Sequence, residues 1–218
     1  MTGLTLLCAE PAQNHARSLH HHEQVQPVWE IFDVIESEQI GDSTTTSEIG
    51  QFEDIDYIII TPTILASQAE RLAQINRNKY NLNVKVVELN DIYTEFSTGS
   101  QDIAAIRNFV KYVYDNASSP NNRLKYLCLF GDGSYDYKDR ITNNTNLVPS
   151  WHAISSFSLG GSYVSDDFYG MLDDNEGGMF TNDKLDIAIG RILAEDVQRA
   201  KDMVDKIEAY YQKEAFGS

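Results

Sequence analysis

Three acidic stretches hold the side chains best placed for chemistry: Gly131-Asp-Gly-Ser-Tyr-Asp136, Ser165-Asp-Asp167 and Leu172-Asp-Asp-Asn-Glu-Gly-Gly178. Carboxylates interleaved with glycine and asparagine can offer the oxygens that a hard cation such as calcium requires. The same residue types also form turns and cap helices with no metal at all. No stretch carries the complete calcium-loop pattern, so both readings stand. The neighbouring pairs Asp166-Asp167 and Asp173-Asp174 are poor acid–base dyads, because consecutive residues of a strand point to opposite faces.

Nucleophiles are scarce. There is no G-x-S-x-G elbow, and Ser134 follows Gly-Asp-Gly with no histidine spaced as its base. Cys128 sits inside the apolar run Leu124–Phe130, where a thiol behaves as a small buried hydrophobe rather than a thiolate. His152 is the one histidine beyond residue 22. A phosphate-cradling role for Gly131-Asp-Gly133 fails, since the loop is acidic and lacks the P-loop lysine. The residues themselves therefore give no catalytic set.

The elements that must position these residues follow from hydrophobic periodicity. Ile55–Thr61, Asn83–Leu89 and Leu124–Phe130 read as strands, the last buried on both faces as in a parallel sheet. Pro62 ends the first of them. Apolar residues at helical spacing predict a helix over 63–79 and another carrying Ile103, Ile106, Val110 and Val113, with Ser100 as its N-cap. Strand, helix, strand, helix, strand with short connections predicts a parallel α/β sheet. Loops leaving the carboxyl ends of such strands gather ligand sites, which puts Asp132, Asp136 and Asp139 at a functional edge. Gly131 and Gly133 are expected to take positive φ there and to let a neighbour come close. Farther on, Leu147–Trp151 and Ser162–Leu172 suggest short strands, Asp186–Ile192 a buried strand, and Val197, Ala200, Val204, Ile207 and Tyr211 a final helix.

The organisation expected is an N-terminal segment over 1–53, the tail of a preceding region plus a linker at 41–50, followed by an α/β unit over 54–218. Val28–Val34 reads as an edge strand or the tail of a preceding domain, and His20-His-His22 as solvated residues or a tag remnant. Cys8 lies in an apolar start too short, and too poor in basic residues, for a convincing signal peptide. No stretch reaches the roughly 18 apolar residues of a membrane-spanning helix. A net charge of −16 over 218 residues argues against nucleic acid and anionic lipid as partners. No sequence feature calls for an organic cofactor.

Several stretches in series resemble the gingipain-type cysteine peptidase domain, and most of all the PorU-type sortases of the Bacteroidetes type IX secretion system. They are Asp56–Thr61, Asn83–Val87 with Asp91–Ser97, Ala105-Ile-Arg-Asn-Phe109, Leu129-Phe-Gly-Asp-Gly-Ser-Tyr-Asp136, Ser165-Asp-Asp-Phe-Tyr-Gly170 and Ile189-Gly-Arg191. The resemblance implies a caspase-like, three-layer α/β fold with a mostly parallel sheet, of which this chain is the first subdomain. It implies a surface enzyme of a Gram-negative outer membrane that removes C-terminal secretion signals from exported protein cargo, working with other components of the secretion system. In that family the catalytic histidine lies in a Gly-His-Gly segment and the cysteine after a later apolar strand, both downstream of the helix that follows Ile-Gly-Arg. Neither motif occurs here, so no residue of this chain is assigned a catalytic role, and the second catalytic subdomain becomes an expected partner. The resemblance also implies structural calcium, with Asp132, Asp136, Asp173, Asp174 and Glu176 as candidate ligands. A non-catalytic α/β module that binds calcium or a basic protein remains the alternative.

Overall fold

The computed structural model describes residues 52–155, 157–179 and 182–212. Cys8, the histidine run at 20–22, the strand expected over Val28–Val34 and the linker at 41–50 lie outside them. Four parallel strands form the central sheet: β1 (Tyr57–Thr61), β2 (Val84–Glu88), β3 (Tyr126–Phe130) and β6 (Ala188–Ile192), in the order β2-β1-β3-β6. Between them lie α1 (Ala66–Tyr80), α2 (Leu89–Ser97) and α3 (Ile103–Asp115), and α4 (Val197–Gln212) follows β6. A two-stranded antiparallel ribbon, β4 (Trp151–His152) with β5 (Val164–Ser165), stands apart from the sheet. No helix among the described residues is long and apolar enough to cross a membrane.

The period-2 alternation of strand side chains divides the core into two layers. Ile58, Ile60, Leu127 and Leu129 pack with Phe109, Ile106 and Val110 of α3 and Ile92 of α2. Ile59, Cys128 and Phe130, one residue out of phase, pack with Leu72 and Ala73 of α1 and Ala200 and Val204 of α4. A sheet covered by helices on both faces is the three-layer α/β arrangement expected of strands apolar at nearly every position.

Three details differ from the sequence-based expectation. Asp102, not Ser100, caps α3, its side chain accepting the Ala104 N–H; its carboxylate is two residues closer to the orphan N–H groups of the first turn. The nine-residue α2 starts directly at the end of β2, so Leu89 belongs to a helix rather than to the strand run. Finally, β6 is half-exposed rather than buried. It lies at the end of the strand order, so among the described residues one of its edges is paired.

Candidate functional site

The carboxyl ends of β3 and β6 carry the densest polar network described, and it begins at the first residue after β3. Gly131 takes φ +152°, and a Cβ there would lie 2.9 Å from Val148 Cγ2. Gly133 has no positive φ; a Cβ on it would come within 2.9 Å of Ser150 Oγ and 3.1 Å of the Val148 carbonyl. One glycine is thus required by conformation and contact together, the other by close approach alone. Asp132 between them ties the loop both ways. Its N–H donates to Ala194 O at 3.1 Å, its carbonyl accepts from the N–H groups of Leu147 and Val148, and its Oδ2 accepts from Thr145 Oγ1.

Asp136 is buried and turned inward, its Oδ2 accepting from the backbone N–H groups of Arg140 and Ile141. Its own N–H donates to Ser134 Oγ, and its carbonyl accepts from Asn144 Nδ2. Asn146 Oδ1 accepts from the Ser134 N–H. Aspartate and asparagine side chains therefore satisfy the backbone of a loop that has no ladder of its own, as buried polar groups demand.

Arg191 of β6 is the hub. Its Nε and Nη2 each donate to a carboxylate oxygen of Asp166 at 2.7 Å, a bidentate pair. Nη1 donates to the carbonyls of Gly131 and Val148 at 2.9 and 2.8 Å, and Nη2 to Ser150 Oγ at 3.0 Å. The guanidinium side chain is 10% exposed and that of Asp166 23%, so the pair sits largely out of water. Tyr169, fully buried, donates its hydroxyl to Pro149 O at 2.6 Å. Four segments, at 131, 148–150, 166–169 and 191, are bound at one point. Sequence reasoning assigned no such role to Arg191, which stood only as a member of an Ile-Gly-Arg run; a lone arginine inside an apolar strand was the available signal, since such a charge must find partners.

Beside this network is a cavity of about 330 Å³ lined by Asp132, Leu193, Glu195, Arg199, Asp202 and Met203. His152, on β4, meets the Tyr137 ring edge-on with centroids 6.0 Å apart, and its Nε2 is buried without a hydrogen-bond partner among the described residues. Cys128 is 4% exposed on the α1–α4 side of the sheet, and burial pushes its thiol up to about 12 against the pull of the Tyr57 hydrogen bond. A thiol held protonated in the core cannot attack a carbonyl. Ser134 Oγ is engaged in a local turn bond.

The third acidic stretch, 172–178, is held by cations from α3. Arg107 donates to the carbonyls of Met171, Asp173 and Glu176, and Lys111 donates to the Leu172 carbonyl at 2.7 Å. Asp174 pairs with Lys111 at 3.3 Å and is otherwise exposed; Glu176 Oε1 accepts the Lys184 N–H. Gly177 takes φ +92°, and a Cβ there would lie 3.0 Å from Arg107 Nε. Guanidinium and ammonium groups thus stand against the carbonyls that a calcium loop would turn to its ion. Among the described residues no three His, Cys, Asp or Glu side chains gather as a metal group. Asp132 and Asp136 belong to one loop, Asp173, Asp174 and Glu176 to another.

The chain belongs to peptidase family C25, whose model matches residues 51–218. The fold is the caspase-like α/β fold of the gingipains. Among solved structures the chain is similar to dimeric latent PorU from Porphyromonas gingivalis, at 31% identity and a TM-score of 0.58, over 71% of this chain and 15% of that one. It is also similar to the complex of RgpB pro- and mature domains from the same organism, at 22% identity and a TM-score of 0.43, over 71% of this chain and 29% of that one. No curated protein matches it.

Proposed function

We propose that this chain is the first α/β subdomain of a PorU-type cysteine endopeptidase or sortase, one that processes C-terminal secretion signals of type IX cargo at the cell surface. In this reading it frames the active site while the catalytic histidine and cysteine come from the second subdomain. The observation that carries the proposal is the network at the carboxyl ends of β3 and β6: a fixed loop edge and an adjoining cavity, in a peptidase-family chain whose one described cysteine is buried and protonated. Membership in family C25 and the 31% identity to PorU support it.

The test compares two proteins: this chain, and a longer product of the same gene that includes the sequence after Ser218. The chain alone should leave fluorogenic peptides and a cargo bearing its C-terminal signal uncut. The longer protein should cut, and iodoacetamide should stop it by alkylating a cysteine other than Cys128. Hydrolysis by this chain alone, lost in Cys128→Ala, would overturn the proposal.

A further inference from the structure

At the amino end of the sheet, opposite the network just described, a second cavity of about 320 Å³ is lined by Tyr114, Pro120, Arg123, Leu124, Lys125 and Tyr126, together with Asn121 and Asp186. Arg123 is the unusual member. Its guanidinium carbon lies 4.7 Å from the centroid of the Tyr114 ring, and Nη1 reaches the Tyr114 hydroxyl at 3.4 Å. It is half-buried, yet it has no carboxylate partner among the described residues. Arg71, Arg77, Arg191 and Arg199 each hold one, Arg107 spends its donors on carbonyls, and Arg140, which also lacks one among the described residues, is exposed rather than stacked. In a chain with nearly twice as many acidic as basic residues, a stacked arginine left without an acid is a conspicuous exception.

We infer that this cavity binds a carboxylate carried on an apolar stem, with Arg123 as its bidentate anchor. Stacking on Tyr114 fixes the plane of the fork and leaves its other N–H groups for a planar oxyanion. Arg123 is the one lining cation without a carboxylate among the described residues, since Lys125 is engaged by Asp56 at 2.6 Å, while Asp186 is turned to the Leu172 N–H; one open fork matches one carboxylate group. The walls of Pro120, Leu124 and the two tyrosine rings suit an alkyl or side-chain stem, and the volume falls at the small end of ligand pockets, which start near about 300 Å³. The carboxylate could belong to a free organic acid or to a glutamate of a polypeptide; the chemistry recognised is the same. This inference is independent of the peptidase reading, because the cavity lies at the other end of the strands.

The test uses the full chain and follows the Arg123 Nε–Hε resonance, assigned by its loss in Arg123→Gln. The probes are hexanoate, inorganic phosphate, and an acetylated, amidated pentapeptide with a central glutamate beside its glutamine twin. Hexanoate, the glutamate peptide or both should shift the resonance saturably, and the glutamine twin should not. Whichever probe binds identifies the source. By calorimetry, Arg123→Gln should weaken that probe at least tenfold and Arg123→Lys, which keeps the charge but loses the fork, severalfold, whereas Lys206→Gln, at an exposed position of α4, should leave it unchanged. Circular dichroism confirms that each variant is folded. No shift with either carboxylate, equal affinity in Arg123→Gln, or phosphate binding as tightly as the carboxylates would overturn the inference.

Discussion

Arg191 and Asp166 show how much one pair can fix. Breaking a buried, hydrogen-bonded ion pair by removing one partner leaves the other charge desolvated, at a cost of about 3–5 kcal/mol. Arg191→Met should lose that much in urea unfolding. Asp166→Asn should lose less, because the guanidinium keeps its carbonyl partners at Gly131 and Val148. Cys128 offers a pH-dependent counterpart. Its folded thiol titrates at about 12 against an ordinary 9, so between those values the folded chain keeps a proton that the unfolded chain has lost. Its contribution therefore leaves stability untouched below pH 9 and erodes it as pH rises through that window; Cys128→Ala should flatten this part of the alkaline unfolding curve. In a Cys8→Ala background, Cys128 should ignore Ellman's reagent at pH 8 until denaturant is added. The burial of Cys128 could be read from its apolar neighbours in the sequence, and the structure agrees. The bond network of Arg191 could not, because its partners lie 25 to 60 residues away along the chain.

At the scale of elements, α3 does two jobs from opposite faces. Its apolar face places Phe109 between the rings of Phe52 and Phe96, at 5.4 and 5.8 Å, while Arg107 and Lys111 on another face hold the 171–177 loop. Phe109→Ala should cost about 3–5 kcal/mol by removing a buried aromatic and leaving a cavity, measured as a lower urea midpoint with the m-value unchanged. The stripe of Ile103, Ile106, Val110 and Val113 announced this helix, because tertiary burial follows the 3.6-residue period. Helix α2 was hidden, even though Leu89, Ile92, Tyr93 and Phe96 have helical spacing. It begins where β2 ends, with no turn residue between them, and the β-branched run Val84–Val87 drew Leu89 into the strand. The half-exposure of β6 was hidden for a different reason: an apolar run does not say whether one or both edges of its strand are paired.

Across the whole molecule, the parallel sense of the sheet followed from the alternation of strand and helix signals, whereas its order β2-β1-β3-β6 did not, because an apolar run does not name its neighbours. A sequence shows carboxylates at ligand-like spacing but not which N–H groups and cations have already claimed the loop. With Asp136 turned onto backbone N–H groups and Arg107 and Lys111 set against the carbonyls of 171–176, the melting temperature of this chain should be the same in millimolar calcium and in EDTA. A calcium-dependent rise of several degrees would show that these loops do take the ion.

The separation in sequence between β3 and β6 carries a kinetic consequence. Tyr126 pairs with Ala188, 62 residues on, and among the described residues no α-helix shortens the path between them, whereas the comparable 69 residues from Tyr57 to its partner Tyr126 are taken up by α1, β2, α2 and α3. Non-local parallel pairing is slow because its closure entropy precedes its reward. The strand that brings Arg191 should therefore dock last, after the rate-limiting barrier, acting as a late latch on a preassembled half-sheet. Arg191→Lys should then speed unfolding while leaving the refolding rate nearly unchanged, a φ-value near zero; a φ-value near one would place the latch inside the folding nucleus instead.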